Sequence, residues 1–369
     1  MRILILNWRD VRSPRGGGAE RVTHEVARRL VERGHEVVWL SSAAEGLPPE
    51  ETIDGVQLVR RGSEATTRLH ARRLARRVQP GVILEEINTL PYFAPAWSRA
   101  PVLLYMNQLA REVWWYEARL PVAAVGWLAE PVYLQAYRGC DAVTISRSSR
   151  DDLRRLGLGH SITVAPMAVE TDRVRELGPK AREGRLLAIG RLTPSKRYDH
   201  AITALAHLRH AHPQASLTVV GEGRERGALL EVARQLGVGA AVTLAGRVSE
   251  AEKVRLLDEA DLLVGTSARE GWGLTVTEAA ARGTAAVVYD IPGFRDAVID
   301  GRSGLVVRPH PSALAHAVSA LLADPGRFDR LRLNAWQDVE RLSYDGTTDA
   351  FEQALSGALS RSRRRAPRV

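Results

Sequence analysis

The sequence predicts an α/β fold made of two Rossmann-like, doubly wound parallel-sheet domains that face a cleft. Short and almost wholly apolar runs alternate with segments of helical periodicity along the chain, as in parallel sheets covered on both faces. In the first half, the strand RILILNW (2–8) is followed by a glycine-rich loop, a helix from about Ala19 to Glu32 and the strand EVVWL (36–40). The second half repeats this plan from LLAIG (186–190) onwards. The 369 residues exceed what one hydrophobic core usually serves, so we expect two domains.

The predicted domain boundary lies in the polar stretch TDRVRELGPKAREG (171–184). We place an N-terminal domain at residues 1–172 and a C-terminal domain at residues 173–342. A last helix at 343–360 is expected to cross back to the N-terminal domain. The basic end RSRRRAPRV (361–369) is expected to be a disordered tail.

The composition limits the classes of protein that the chain can form. Cys140 is the single cysteine, so no internal disulfide can form, and a reducing cytosol fits this usage. The sequence contains no apolar run close to the roughly 18–20 residues of a membrane span, and we expect a cytoplasmic protein. The net charge of +9 favours anionic partners such as nucleotide phosphates or acidic lipid headgroups. Because zinc-finger spacings and RNA-recognition motifs are absent from the sequence, a nucleic-acid partner is not expected.

The segment GRLTPSKR (190–197) follows a buried strand and precedes a helix. Arg191 lies at the strand end and Lys196 in the loop, where two cations and the free N–H groups of a helix start favour an anion. The alternative interpretation is a pair of solvated surface cations. The spacing differs from that of a Walker A loop, which excludes an ATPase loop.

A second glycine-rich loop, RGGGAER (15–21), follows the first strand of the N-terminal half. Its glycines, which include Gly17 and Gly18, allow the backbone to approach a ligand closely. The segment lacks the G-x-G-x-x-G spacing, so a dinucleotide site is not favoured. The alternative is a flexible loop, but the position after a first strand favours a role in the cleft.

The stretch REGWGLTVTEAAARG (269–283) contains two glutamates on either side of a Gly-Trp-Gly turn. We predict that Glu270 lies in the loop before a helix that starts near Leu274, and that Glu278 lies about one turn inside this helix. If both were helical, eight residues would separate them by ~12 Å of rise and ~80° of rotation. A shared acid–base role is therefore not expected, and two separate contacts with one extended ligand fit better. The alternative for Glu278 is stabilisation of the helix dipole, worth ~0.3–1 kcal/mol.

These motifs together resemble the retaining glycosyltransferases of family 4, which have the GT-B architecture. The resemblance covers nearly the whole chain and is strongest between residues 186 and 307. It is based on GRLTPSK, on VVGEGRERGAL (219–229), on VTLAGRVSE (242–250) and on the stretch that begins REGWGLTVTEAAARG. The Glu-x7-Glu element with Gly-aromatic-Gly inside it is specific in this setting.

The resemblance implies roles for individual side chains. Arg191 and Lys196 are expected to bind the donor diphosphate, and Glu278 to accept hydrogen bonds from the ribose hydroxyls. Glu270 is expected to orient the donor sugar near its anomeric centre. We therefore interpret Glu270, Arg191 and Lys196 as the catalytic residues.

The resemblance also implies contacts from the backbone. The N-terminal loop at Gly17 and Gly18 is expected to close over the phosphate and the acceptor, and backbone near Val248 is expected to meet the base. The segment expected to meet the sugar and the β-phosphate consists of Gly271, Trp272, Gly273, Leu274 and Thr275.

A metal ion is not expected, and neither is any other cofactor. Many sugar transferases hold a metal with Asp-x-Asp, and this motif is absent from the sequence. Arg191, Lys196 and helix N–H groups can supply the same electrostatic stabilisation of a leaving diphosphate.

The sequence departs from the family pattern at Asn107. Family members often have a histidine at this strand end that contacts the donor sugar, whereas the matching segment here is LLYMNQLAREVWW (103–115). Asparagine donates and accepts hydrogen bonds but does not titrate near neutral pH. This difference leaves the identity of the donor sugar open.

The domain expected to bind the acceptor contains an aromatic and apolar segment, 114–137. We interpret it as a helix packed into its domain. The alternative is a surface for a lipid-linked or hydrophobic acceptor. A basic helix that includes Arg68, Arg72, Arg73, Arg76 and Arg77 could also contact an anionic membrane at the inner face of the cell, at ~1 kcal/mol for each cation.

The sequence therefore predicts a metal-independent, retaining glycosyltransferase that uses a nucleotide-diphosphate sugar and a hydroxyl acceptor. The acceptor classes that remain open are a cell-envelope polysaccharide, a glycolipid and a secondary metabolite. Two alternatives are a sugar-nucleotide epimerase of the same architecture and a catalytically silent nucleotide- or carbohydrate-binding protein. The epimerase would need its own acid–base residues, and the sequence contains no clear set.

Overall fold

The computed structural model describes residues 1–88, 90–168 and 171–365, and it divides the chain into two compact units. The first unit contains Met1–Ala110, Gly126–Ala168 and the described part of the C-terminal stretch from Ser343. The second unit contains Arg111–Val125 and the described part of Val169–Leu342. The division lies before the predicted boundary at residues 172 and 173.

An eight-stranded sheet forms the centre of the first unit. Its strands are β1 (Arg2–Leu6), β2 (Glu36–Ser41), β3 (Glu50–Ile53), β4 (Val56–Arg60), β5 (Val82–Glu86), β6 (Val102–Met106), β7 (Asp141–Thr144) and β8 (Ile162–Val164). They are ordered β3-β4-β2-β1-β5-β6-β7-β8, with every pairing parallel except β3 with β4. The antiparallel β3 was not predicted, because EETI is polar and lies only partly buried at the sheet edge.

The helices of the first half of the chain follow its strands in turn. They are α1 (Gly18–Glu32), α2 (Thr67–Val78), α3 (Ala94–Trp97), α4 (Val113–Glu117), α5 (Leu120–Leu134) and α6 (Arg147–Arg155). The strand order reverses at β1 and β5, so the loops that follow these strands lie next to each other at the carboxyl edge of the sheet. Gly17, Gly18 and Asn107 belong to loops or helix starts at this edge.

A six-stranded, wholly parallel sheet forms the centre of the second unit. Its strands are β9 (Arg185–Ile189), β10 (Ser216–Val220), β11 (Val242–Gly246), β12 (Leu262–Gly265), β13 (Ala285–Tyr289) and β14 (Gly304–Val307). The order is β11-β10-β9-β12-β13-β14, so the switch point lies between β9 and β12. The two sheets confirm the predicted fold class of two doubly wound α/β domains.

The helices that follow cover the second sheet. They are α7 (Tyr198–Leu208), α8 (Arg226–Gln235), α9 (Glu250–Glu259), α10 (Leu274–Ala281), α11 (Pro292–Ala297), α12 (Pro311–Ala323) and α13 (Pro325–Asp338). Leu187, Val219, Leu263 and Val287 lie in the core of this unit and are almost completely buried. Apolar strands that are buried on both faces explain why the periodicity of this half was clear in the sequence.

The last helix, α14 (Tyr344–Arg365), belongs to the first unit. Arg33 of α1 donates to Asp349 and Glu352 of α14, each at 2.7 Å. The expectation of a disordered tail from residue 361 was wrong for 361–365, which are helical. Arg361 pairs with the buried carboxylate of Asp141 at 2.8 Å, which accounts for the extra turn. The rest of that predicted tail, 366–369, lies outside the described residues.

The interpretation of 114–137 as a helix packed into its domain was wrong for one face of α5. The helix buries Ala123 and Leu134, but five apolar side chains are each more than half exposed, namely Leu120, Val122, Val125, Leu128 and Val132. A segment that is apolar on all sides carries no periodic signal that separates its buried face from its exposed face. Its sequence therefore could not show which residues would remain in contact with water.

Candidate functional site

Two loops meet at the switch point of the second unit. One follows β9 and contains a short 3₁₀ turn, Pro194–Lys196, and the other follows β12 and leads into α10. The backbone N–H of Ala268 donates to the carbonyl of Ser195 at 2.8 Å, and the hydroxyl of Thr266 donates to the carbonyl of Lys196 at 2.9 Å. The motifs GRLTPSK and REGWG are therefore parts of one structural site, as the resemblance implied.

Lys196 and Glu270 form an ion pair in this site. The ammonium of Lys196 lies 2.5 Å from Oε1 of Glu270, and the hydroxyl of Ser267 donates to the same oxygen at 2.6 Å. Arg191 lies in the loop directly after β9 and is exposed. Lys196 and Glu270 therefore place a cation and a carboxylate at the loop that leads into α10, and Arg191 adds a cation to the loop after β9.

The Gly-Trp-Gly turn shapes the start of α10. Gly273 has φ of +112°, and a Cβ there would lie 2.9 Å from the ring of Phe294, so only glycine fits without strain. The indole N–H of Trp272 is buried and has no hydrogen-bond partner among the described residues. Leu274 and Thr275 form the first turn of α10, whose N–H groups have no partner within the helix. This turn can bind an anion and offer an indole donor to a polar ligand.

Backbone contacts from a neighbouring segment hold the loop around Glu270 in place. The N–H of Gly293, at the start of α11, donates to the carbonyl of Glu270 at 3.1 Å. Sequence reasoning did not identify Gly293 or Phe294 as part of the site. The sequence feature that could have indicated them is the segment IPGF (291–294), which has the proline and glycine of a tight helix start.

Glu278 lies one turn inside α10, as predicted, and is buried. Its Oε1 atom lies 2.8 Å from the ammonium of Lys253 on α9, which also pairs with Glu250 at 2.7 Å. Burial opposes the charge of Lys253, but Glu278 and Glu250 together hold its pKa above the ordinary value. The two glutamates of the motif thus have different cationic partners, and sequence reasoning missed Lys253.

Val248 lies just before the N-terminal cap of α9, and Gly221 directly follows β10. Val248 precedes Ser249, whose hydroxyl caps α9 by accepting from the N–H of Glu252 at 3.2 Å. A Cβ at Gly221 would lie 2.0 Å from the carbonyl oxygen of Gly190, so this glycine permits close packing against the start of the GRLTPSK segment. The base contact predicted near Val248 remains a prediction.

A segment from the first half of the chain packs on the same loops. Glu112 accepts from Arg269 at 2.7 Å, and Glu117 at the end of α4 accepts from the hydroxyl of Ser195 at 2.5 Å. Arg224 also pairs with Glu117 at 3.3 Å. These contacts explain why 111–125 belongs to the second unit, and they correct its predicted assignment to an N-terminal domain of residues 1–172.

In the first unit, the glycine-rich loop is fixed by charged groups. Gly17 caps α1, and its N–H donates to the carboxylate of Glu20 at 2.7 Å, while Gly18 is the first residue of the helix. Asp10, in the loop before it, is fully buried and lies 2.8 Å from the guanidinium of Arg60. The loop therefore has an ordered framework, and the expected contact of Gly17 and Gly18 with phosphate or acceptor remains a prediction.

Asn107 follows β6 and belongs to a buried polar cluster at the carboxyl edge of the first sheet. Its amide donates to Oε1 of Glu86 at 3.2 Å. The other carboxylate oxygen of Glu86 accepts from Asn7 and Thr23, each at 2.9 Å. Burial and then the negative charge of Glu20 raise the pKa of Glu86 to about 8. Glu86 therefore favours its neutral form near pH 7 and holds Asn107 in a fixed position.

Glu85, the neighbour of Glu86, is also buried but faces different groups. It accepts from the N–H groups of Tyr92 and Ala94 at 2.6 and 3.0 Å, and from the hydroxyl of Tyr137. Burial raises the pKa of Glu85 to about 7 in spite of these hydrogen bonds. Sequence reasoning treated VILEE as an ordinary strand, although two acidic residues at the end of an apolar run were a signal of buried carboxylates.

Two further features, a metal-binding cluster and a membrane-spanning helix, are absent from the described residues. Residues 1–88, 90–168 and 171–365 contain no group of three or more His, Cys, Asp or Glu side chains arranged to hold a metal ion. None of the helices in these ranges combines the length and the apolar character that crossing a membrane requires.

Family models match both halves of the chain. The model described as glycosyl transferases group 1 matches residues 169–338, and the model of glycosyltransferase family 4 matches residues 16–173. Glycogen synthase of Mycobacterium tuberculosis strain H37Rv is 30% identical over an alignment of 385 residues, which covers 92% of this chain and 92% of that protein. D-inositol 3-phosphate glycosyltransferase of Nocardia farcinica is 34% identical over 192 residues, covering 50% of this chain and 43% of that protein.

Solved structures share the fold over nearly the whole length. Sucrose-phosphate synthase of Thermosynechococcus elongatus has a TM-score of 0.79 at 17% identity, covering 98% of this chain and 99% of that one. HepE of Anabaena, in complex with UDP-glucose, has a TM-score of 0.76 at 17% identity, covering 97% of this chain and 100% of that one.

Proposed function

Because the chain belongs to glycosyltransferase family 4, with the GT-B architecture, we propose that it transfers a sugar from a nucleotide-diphosphate sugar to a hydroxyl acceptor. We extend the proposal to retention of the anomeric configuration and to catalysis without a metal ion. The observation that supports it best is the ion pair between Lys196 and Glu270, at 2.5 Å, beside the first turn of α10. This arrangement combines a cation for a phosphate with a carboxylate for a sugar hydroxyl.

The donor diphosphate binds at the cations. Arg191 and Lys196 supply positive charge, and the N–H groups of Leu274 and Thr275 add the partial charge of a helix N-terminus. A diphosphate carries more negative charge than a carboxylate, so it competes with Glu270 for Lys196. Glu270 then accepts from the hydroxyls of the donor sugar while Ser267 continues to orient it.

Catalysis in this proposal is mainly electrostatic. The bond between the sugar and the diphosphate breaks with build-up of negative charge on the leaving oxygen, next to Arg191 and Lys196. The acceptor hydroxyl attacks from the face that the diphosphate leaves, and the leaving phosphate helps to accept its proton. Neither Glu270 nor Glu278 acts as a covalent nucleophile.

The ribose and the acceptor bind on different elements. Glu278 accepts from the ribose hydroxyls, and the backbone near Val248 contacts the base. Gly17 and Gly18 at the start of α1 approach the phosphate and the acceptor, and Asn107, held by Glu86, hydrogen-bonds to the donor sugar. The solved relative HepE binds UDP-glucose, which supports a nucleotide sugar as the class of donor.

We also propose a cytoplasmic protein whose first unit contacts an anionic membrane. Helix α2 exposes Leu69 to 79%, and Arg72, Arg73 and Arg76 follow on the same face without ion pairs to described residues. Cations near such a surface contribute ~1 kcal/mol each. A membrane-bound acceptor, such as a glycolipid, would be presented to the enzyme by this contact.

The first experiment identifies the donor. A thermal-shift screen of UDP-, GDP-, ADP- and dTDP-sugars is followed by assays of donor hydrolysis and transfer. Stabilisation by one donor class, lost in Lys196→Ala but kept in Arg234→Ala, is the expected result, since Arg234 is an exposed cation on α8. No consumption of any nucleotide sugar would contradict the proposal, and a change of sugar configuration without transfer would favour the epimerase.

The membrane contact has its own test. The triple variant Arg72→Gln, Arg73→Gln, Arg76→Gln should sediment less with phosphatidylglycerol vesicles than the wild type. The matched control, Arg308→Gln, Arg330→Gln, Arg341→Gln, removes equal charge from exposed positions of the second unit. Equal loss in both variants would show that net charge alone is responsible and would contradict a specific contact through α2.

A further inference from the structure

The cationic partner of Glu278 has no role in the site described so far. Lys253 lies on α9, one turn after the cap at Ser249, and its ammonium is 2.8 Å from Oε1 of Glu278. Only 11% of the Lys253 side chain and 9% of the Glu278 side chain are exposed. Two oppositely charged groups that are this well buried must be paired, because either alone would be costly to desolvate.

We infer that Lys253 is the positioning residue for Glu278, and that it aligns this carboxylate with the cis-diol of the ribose in a nucleoside diphosphate. The inference rests on the proposed role of Glu278 in donor binding and extends it to a residue of a different helix. It also identifies α9 as the element that orders the nucleoside half of the site.

The geometry of the carboxylate supports this role. An ionised carboxylate has two oxygens with about four acceptor sites, so Oε1 can accept from Lys253 and still accept from a hydroxyl. The ammonium restricts rotation of the carboxylate and thereby orients Oε2 as well. A carboxylate held in this way can accept from two neighbouring hydroxyls with little further ordering on binding.

The position of Lys253 along α9 gives a second, independent argument. Helix α9 starts at Glu250, two residues after Val248, which is expected to contact the base. Glu250 also pairs with Lys253 at 2.7 Å, so the ammonium is fixed from its own helix as well as from α10. Lys253 is therefore on the helix that begins two residues after the segment expected to contact the base.

The experiment measures selectivity for the ribose 2′-hydroxyl. Isothermal titration is carried out with UDP, ADP and GDP and with the 2′-deoxy form of each. The discrimination ratio is the Kd of the 2′-deoxy form divided by the Kd of the ribose form, and it is measured for the wild type, Lys253→Met, Lys253→Arg and Glu278→Gln. This ratio is measured on the folded fraction of each protein, so it is insensitive to a general loss of stability. We expect the ratio to fall about tenfold in Lys253→Met and to recover largely in Lys253→Arg.

A matched control and a kinetic readout complete the test. Arg255→Met removes a cation from the exposed face of the same helix, where it pairs with Glu252 and Glu259, and should leave the ratio unchanged. In turnover assays, Lys253→Met should raise KM for the donor much more than it lowers kcat, because the carboxylate contacts the ribose and not the reacting atoms.

The outcomes separate this inference from the function on which it rests. A ratio that collapses in Glu278→Gln but is intact in Lys253→Met would overturn the role of Lys253 alone. A ratio that is unchanged in Glu278→Gln would overturn the ribose assignment and the inference with it. Failure of all three nucleoside diphosphates to bind the wild type would overturn the ribose assignment and the inference, whereas the separate donor screen, which includes dTDP-sugars, decides the donor class.

Discussion

The ammonium of Lys196 lies 2.5 Å from Oε1 of Glu270, so the residue predicted to bind the phosphate and the residue predicted to orient the sugar contact each other directly. Ser267 holds the same carboxylate oxygen from the other side of the short loop. Both side chains are largely buried, which strengthens the pair relative to one at the surface. In the proposed function, a donor diphosphate therefore shares or replaces an existing partner of Lys196, which couples the binding of phosphate to the orientation of Glu270.

The first prediction concerns Lys196→Ala. This variant should bind a nucleoside diphosphate about 10- to 100-fold more weakly than the wild type, because a charge-assisted contact to phosphate is lost. Binding of the corresponding nucleoside should change little, and calorimetry of both ligands measures the difference. Equal losses for nucleoside and diphosphate would refute the assignment, and Arg234→Ala serves as the control for loss of a cation.

The second prediction concerns metal ions. Transfer activity should be the same in EDTA as in magnesium or manganese, because in the proposed function Arg191, Lys196 and the first turn of α10 provide the positive charge that the leaving diphosphate needs. The measurement is the initial rate of the dialysed enzyme with each addition. Activity that disappears in EDTA and returns with a divalent cation would show that these groups are insufficient.

The third prediction concerns pH and Glu86. Its folded-state pKa of about 8 lies above the ordinary value of 4.5, so the folded protein binds more protons than the unfolded chain between these values. Stability should therefore fall as pH rises across this window, by at most about 1.4 kcal/mol per pH unit for one carboxyl. Denaturant unfolding from about pH 5 to about pH 8 measures this slope.

The matched variant for this slope is Glu86→Gln. The neutral amide keeps the size of the side chain and removes its titration, so the slope should become shallower. Glu85, whose folded-state pKa is raised to about 7 by burial, should account for much of what remains. An unchanged slope in Glu86→Gln would show that Glu86 does not gain a proton on folding.

The fourth prediction concerns the loop that leads to Gly17. Asp10→Ala removes one of two carboxylates that pair with the buried guanidinium of Arg60 and leaves Glu51, at 2.9 Å, as the other; it should lower the free energy of unfolding by about 3 kcal/mol. Arg12→Ala, in the same loop, removes an exposed pair with Glu51 and should cost less than about 1 kcal/mol. Similar losses in the two variants, measured by denaturant unfolding, would contradict a structural role for the Asp10–Arg60 pair.

Much of the fold could be predicted because both sheets are parallel and buried. Apolar strands such as β9 and β13, separated by helical periods, are recognisable from local pattern alone. The edge strand β3 and the exposed face of α5 were not predictable in this way, since the first is polar and the second is apolar on every side. Local periodicity fails where burial is decided by what lies opposite the segment.

The candidate site was predictable where its residues lie within one motif. GRLTPSK follows β9 and REGWG follows the end of β12, and the rule that ligands bind at carboxyl ends of parallel strands predicted that these two loops lie together, as the pair of Lys196 with Glu270 shows. Lys253 was missed, because one lysine on a polar helix has the same appearance in sequence as a solvated one. Glu112 and Glu117 were missed because they are distant in sequence from the loops that they contact.

The sequence by itself determined the family, the alternation of strands and helices, and the chemical types available at the strand ends. Only the tertiary structure decided the partners: Lys196 with Glu270, Lys253 with Glu278, Asn107 with Glu86, and segment 111–125 with the second unit. The physical reason is that backbone pattern and turn chemistry are local, whereas an ion pair or a buried hydrogen bond depends on which side chains meet across the fold. These side-chain contacts set the charges and orientations on which the proposed chemistry depends.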